Sequence, residues 1–137
     1  MYYQIANECR VHSIYRMSKV IIVEDDTFLQ SLASQKLGKE GFTVVAISDG
    51  NVAYDTVKKE KPDIMLLDLM MPGVDGFQVL EKVKSDESTK AIPVVVFSNL
   101  SDDKDINRAK ELGAVEFMVK SNFTLDELVE KVKSILK

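Results

Sequence analysis

The sequence predicts an α/β domain: an open, doubly wound parallel sheet of five βα units, (βα)5, with helices on both faces. Three observations predict it. Five short runs are apolar and rich in β-branched residues through nearly their whole length, the pattern of strands covered on both faces. Longer segments of helical period separate them. The links between the two kinds of segment are short, as right-handed crossovers within one sheet require. A chain of 137 residues, 45% hydrophobic and 29% charged, can fill one such core and not two.

Strand and helix alternate along the chain. Residues 1–17, "MYYQIANECRVHSIYRM", carry neither alternation nor a lasting apolar stripe, so a poorly ordered N-terminal extension is expected there, with the domain spanning 18–137. The first strand is "KVIIV", followed by a helix from Thr27 to Lys39 that Gly41 terminates. The second is "FTVVAI", with a helix from Gly50 to Lys59. The third is "DIMLLD", leading through "LMMPGVD" into a helix from Gly76 to Ser85. The fourth, "IPVVVF", precedes a helix from Asp102 to Leu112, whose apolar stripe of Ile106, Ala109 and Leu112 is thin and whose stop is Gly113. The fifth, "VEFMV", precedes the clearest helix, Thr124 to Leu136. Leu125, Leu128, Val129, Val132, Ile135 and Leu136 share one stripe there, and Thr124 with Glu127 forms a capping-box signature.

Charge and composition exclude several functions. A net charge of -4, with no basic tract, argues against nucleic-acid binding. One cysteine, Cys9, rules out an internal disulfide, and with one histidine, His12, there is no Cys/His zinc cluster. No apolar run approaches the ~20 residues of a membrane helix. A cytoplasmic protein without membrane contact is expected.

In open parallel sheets, function gathers at the carboxyl ends of the strands. Here the first strand ends in Glu24, Asp25 and Asp26, the third in Asp68, the fourth in Ser98 and the fifth in Lys120. Singly, each has an ordinary reading as a helix cap, a strand end or a solubilising charge. Together they fall on one rim. Carboxylates drawn from two strands repel unless a cation lies between them, and all-oxygen ligation suits magnesium or manganese. With a hydroxyl and an ammonium beside it, such a site fits phosphoryl transfer onto a carboxylate.

The segments "VIIVEDD", "PDIMLLDLMMPGVDG", "VVVFSN" and "EFMVK", in this order and spacing, resemble the receiver domain of two-component response regulators over about Lys19 to Leu136. The resemblance implies a flavodoxin-like sheet of strand order 2-1-3-4-5. It implies that Asp68 accepts a phosphoryl group from the phosphohistidine of a sensor histidine kinase or a histidine phosphotransfer protein. The implied Mg2+ (or Mn2+) ligands are Asp25 directly, Asp68, Glu24 chiefly through water, and the backbone carbonyl of Met70. Ser98 becomes the switch hydroxyl, Phe117 the switch aromatic and Lys120 the phosphoryl-binding lysine. Pro72, Gly73 and Gly76 shape the acceptor loop, and Asp75 is structural. The chain departs from the family pattern at Ser121, where proline is usual, so a trans Lys120–Ser121 bond is expected. It also departs at Asn99, often a small residue, and at Phe117, which lacks a tyrosine hydroxyl.

The chain ends at Lys137, immediately after the fifth helix, with no room for an output domain, so a single-domain response regulator is expected, a monomer or weak homodimer. Such a protein signals, catalyses only its own phosphorylation and dephosphorylation, and contacts a downstream protein target through the 102–136 face. Phosphorylation is expected to draw Ser98 toward the phosphoryl group and open space into which the Phe117 ring turns inward. A degenerate receiver acting without phosphorylation is the alternative, disfavoured by the presence of Glu24, Asp25, Asp68, Ser98 and Lys120 together. A phosphatase with an aspartate nucleophile would need a second aspartate where Met70 stands, and a flavin-type phosphate cradle would be repelled by "EDD".

Overall fold

The computed structural model describes residues 18–137; the expected extension over 1–17, with Cys9 and His12, lies outside the described residues. A parallel five-stranded sheet is wound with five α-helices. Its strands are β1 (Lys19–Val23), β2 (Thr43–Ile47), β3 (Ile64–Leu67), β6 (Val94–Ser98) and β7 (Glu116–Val119), in the order β2-β1-β3-β6-β7. Between β3 and β6 a small antiparallel pair, β4 (Met70–Met71) with β5 (Val74–Asp75), forms a separate ribbon. The helices are α1 (Thr27–Lys39), α2 (Ala53–Glu60), α3 (Gly76–Ser85), α4 (Asp103–Glu111) and α5 (Leu125–Leu136).

Alternation along each strand divides the core in two. Ile21, Val23, Met65, Leu67, Val94, Val96, Phe117 and Val119 face one layer, with Val57 of α2, Leu80 of α3 and Ala109 of α4. Val20, Ile22, Ile64, Leu66, Val95, Phe97 and Met118 face the other, with Leu37 of α1 and Leu128 of α5. Each fully buried Leu or Ile contributes about 2 kcal/mol from removal of apolar area from water, and this double burial is why the strands read as unbroken apolar runs.

Local chemistry sets the ends of the elements. Asp26, Asp75 and Asp102 accept backbone N–H groups and cap α1, α3 and α4, and Thr124 with Glu127 forms the predicted capping box of α5. Gly41 and Gly113, at φ 96° and 111°, turn the chain after α1 and α4 as expected.

Three features differ from the sequence reading. β2 is an edge strand with Thr43 and Ala46 exposed, so it is not covered on both faces. The helix read from Gly50 begins as a 3-10 turn, Gly50–Val52, capped by Asp49, and becomes α-helical only at Ala53. The β4–β5 ribbon had no counterpart in the sequence reading. It closes around Pro72 and Gly73, the latter at φ 73°, where a side chain would be strained.

Candidate functional site

The sheet register brings the rim residues together. Val23 pairs with Leu67 across β1 and β3, and each ladder continues one residue further: Asp68 N–H donates to the Val23 carbonyl and Glu24 N–H to that of Ile47, both at 3.0 Å. Glu24 and Asp68 therefore leave adjacent strands at one level. On the other side Ser98 pairs with Val119, so Lys120 lies one residue beyond. Four strands thus deliver Glu24, Asp25, Asp68, Ser98 and Lys120 to one edge of the sheet.

Carboxylate oxygens of Glu24, Asp25 and Asp68 all lie within 4.8 Å of one another. Glu24 and Asp68 are 4% and 5% exposed, and Ser98 is fully buried. The Lys120 ammonium bridges the first two, 2.5 Å from Glu24 Oε1 and 2.9 Å from Asp68 Oδ2. Asp68 Oδ1 accepts the Met70 N–H at 3.0 Å, and Glu24 Oε2 the Asp26 N–H at 3.0 Å. The Ser98 hydroxyl oxygen accepts a long bond, 3.4 Å, from the Leu100 N–H.

Electrostatics reflect burial and crowding. Burial holds the Glu24 carboxyl above its ordinary value, and the neighbouring Asp68 adds to this. The bonds from Lys120 and the Asp26 N–H oppose it without cancelling it. Burial pushes the Lys120 ammonium down, but its bonds to Glu24 and Asp68 outweigh that effect and hold it above the ordinary lysine value. One ammonium offsets one of three carboxylates. The remaining charge and the all-oxygen donor set fit a hard divalent cation such as Mg2+ or Mn2+, not a soft metal.

The other residues singled out from the sequence fall around this cluster. Met70 is exposed beside Asp68. Asp75 caps α3 through the Phe77 N–H at 2.9 Å, a structural task as expected. Gly76 lies so close under the ribbon that a Cβ there would stand 2.5 Å from the Leu69 Cα. All peptide bonds of the described residues are trans, Lys120–Ser121 included. The Phe117 side chain is 7% exposed and lies in the layer between the sheet and α2 to α4.

One residue at the site escaped the sequence reading. Gln30 of α1 reaches back to the Glu24 carbonyl. Its signal was a lone amide in the first helical turn after three acids, indistinguishable from an ordinary solvated position.

The sequence model for the response regulator receiver domain matches residues 20–133. The chain is 35% identical over 119 residues to sporulation initiation phosphotransferase F of Bacillus subtilis (strain 168), covering 86% of this chain and 93% of that protein. It is 32% identical over 133 residues to the probable transcriptional regulator ycf27 of Guillardia theta, covering 97% of this chain and 51% of that protein. It thus spans about half the length of the ycf27 relatives it matches. Among solved structures, it resembles the BeF3-activated N-terminal receiver domain of Klebsiella pneumoniae RstA. The TM-score is 0.78 with 29% identity, over 88% of this chain and 99% of that one. The Mn(2+)-bound form of response regulator Rcp1 matches with a TM-score of 0.73 and 28% identity, over 86% of this chain and 91% of that one.

Proposed function

Because the chain belongs to the response regulator receiver domain family, we propose that Asp68 is its phosphoacceptor, taking a phosphoryl group from the phosphohistidine of a sensor histidine kinase or histidine phosphotransfer protein. The observation that carries this reading is the convergence of three carboxylates and the Lys120 ammonium at the end of β3. In the transfer an Asp68 oxygen attacks phosphorus, the P–O bond forms as the P–N bond breaks, and the imidazole leaves with the partner.

Asp25, Asp68, Glu24 chiefly through water, and the Met70 carbonyl would hold Mg2+, or Mn2+ in its place. When bound, the ion supplies charge neutralisation for an anionic donor approaching an anionic acceptor. Asp68 is held ready by the Met70 N–H on one oxygen. Lys120, already on the other, is placed to follow the phosphoryl oxygens as charge develops on them. The Ser98 hydroxyl, fully buried beside them, supplies a further donor. Ser98 and Phe117 form the switch, and the 102–136 face, built from α4, β7 and α5, is where a protein target reads it. The receiver unit spans 18–137. No helix among the described residues is long and apolar enough to cross a membrane, and we place the protein in the cytoplasm.

The test is labelling by acetyl phosphate with Mg2+, read by intact-mass spectrometry. A hydroxylamine-labile adduct is expected on the wild type and none on Asp68→Asn, whose amide is nearly isosteric and a poor nucleophile. Undiminished labelling of Asp68→Asn, or no labelling of the wild type, defeats the assignment. Asp25→Ala is expected to lose both labelling and Mg2+ binding.

A further inference from the structure

We infer that Gln30 is a positioning residue for the metal-binding carboxylates, its side-chain amide fixing the peptide unit that joins Glu24 to Asp25. The inference rests on the metal reading of the acidic cluster and adds a residue to it.

The geometry lies at the point where the sheet runs out. Beyond Val23 the β1 ladder has one bond left, from the Glu24 N–H to the Ile47 carbonyl. The Glu24 carbonyl is filled from the helix: Gln30 Nε2 donates to it at 2.9 Å and to Ser48 Oγ, at the end of β2, at 3.2 Å. That carbonyl belongs to a planar unit, so its direction sets how the Asp25 side chain leaves the backbone. Gln30 itself is fixed. Its N–H donates to the Asp26 carbonyl at 2.9 Å, and Asp26 caps the same helix through the Phe28 and Leu29 N–H groups. With Glu24 and Asp68, Gln30 also lines a cavity of about 20 Å³ at the base of the acidic cluster.

The residue type fits the task. An amide nitrogen carries two hydrogens, and both are spent here, one on each strand end. A carboxylate at this place would offer neither and would add a fourth negative charge. A methionine keeps the length and the apolar stem and removes the donors. Outer contacts of this kind orient metal ligands without touching the ion.

The experiment titrates Mg2+ alone into the full chain, tracked by amide NMR shifts around Asp25 and Asp68, with thermal unfolding in EDTA in parallel. Gln30→Met is expected to bind Mg2+ about tenfold more weakly. Its metal-free Tm should fall by no more than about 6 °C, the cost of two hydrogen bonds, one part-buried and one exposed. Ser48→Ala should weaken binding less. The double variant should bind no more weakly than Gln30→Met alone, since Ser48 acts only through the amide. Equal Mg2+ affinity of wild type and Gln30→Met overturns the inference, as does a weakened affinity that comes with a large loss of metal-free stability. Failure of the wild type to bind Mg2+ is a different result: it removes the metal reading, and this inference with it.

Discussion

The Lys120 ammonium sits 2.9 Å from the Asp68 carboxylate, in the space between the carboxylates where a divalent cation would also be drawn. Lys120 and a metal ion would therefore share the neutralisation of one charge cluster. Lys120→Met should destabilise the metal-free protein by about 3 kcal/mol at pH 7, because it leaves Glu24 and Asp68 buried and unpaired. Saturating Mg2+ should recover most of that loss and raise Tm more in the variant than in the wild type. Urea unfolding in EDTA and in Mg2+ measures both. Equal stability of variant and wild type in EDTA would show that the bridge does not neutralise the cluster.

Gly76→Ala should cost about 2 to 3 kcal/mol. The added Cβ would meet the Leu69 Cα at 2.5 Å and the Leu69 carbonyl oxygen at 2.9 Å, and backbone cannot move aside as a flexible side chain does. Because the displaced segment carries Asp68 at its start, phosphorylation by acetyl phosphate should slow as well. A variant as stable as the wild type and labelled at the same rate would contradict the close approach.

Arg108 stacks its guanidinium 4.2 Å from the centre of the Phe77 ring and so joins α4 to the first turn of α3. Ala109 is the only fully buried residue of α4, with Ile106 packed beside it against the core, and this exposed stack adds to that thin anchor. Arg108→Ala should lower stability by about 0.5 to 1 kcal/mol and speed amide exchange across Asp103–Glu111 with α5 unchanged. Unaltered exchange in α4 would argue that the helix is held by its apolar stripe alone.

Asp86 gives a pH dependence of definite sign. It accepts from the Tyr54 hydroxyl and from Ser88, and Lys58 lies 3.5 Å away. The Tyr54 bond chiefly, then the Ser88 bonds, hold its carboxyl well below the usual carboxylate range. In that window the unfolded chain binds a proton that the folded chain does not, so stability rises with pH there. The contribution is full above the unfolded value of about 4 and fades as pH falls through the folded one. Tyr54→Phe should therefore lower Tm at pH 7, with the gap narrowing steadily below pH 4. A gap of constant size down to pH 2 would mean that the hydroxyl acts through packing and not through the carboxylate.

Much of the fold and the site was legible in the chain. Runs such as "KVIIV" and "DIMLLD" announce strands because burial on both faces leaves no polar position, and the acids that end them, each ordinary alone, point to the rim because they fall on it together. What could not be read depends on neighbours. β2 resembles a strand covered on both faces in composition, and although the implied strand order already set it at an edge, only its neighbours show that Thr43 and Ala46 are exposed. Two-residue strands such as Met70–Met71 are too short to have a period. Gln30 required knowing which carbonyl the end of β1 leaves without a strand partner.

The spread of the site along the chain bears on its assembly. Glu24 and Lys120 directly succeed the first and last strands, and β7, which leads into Lys120, is an edge of the sheet that among the described residues pairs only with β6. Contacts of such long sequence separation form late, because loop closure must precede them. A folding intermediate in which β1 and β3 have paired and β7 has not would hold Glu24, Asp25 and Asp68 together without their ammonium. Mutual repulsion of the three makes that species poor in water and favours it in Mg2+. The docking of the last strand thus brings an ammonium to the cluster as well as apolar surface to the core, and a divalent ion held by the three carboxylates would change the order in which the protein folds.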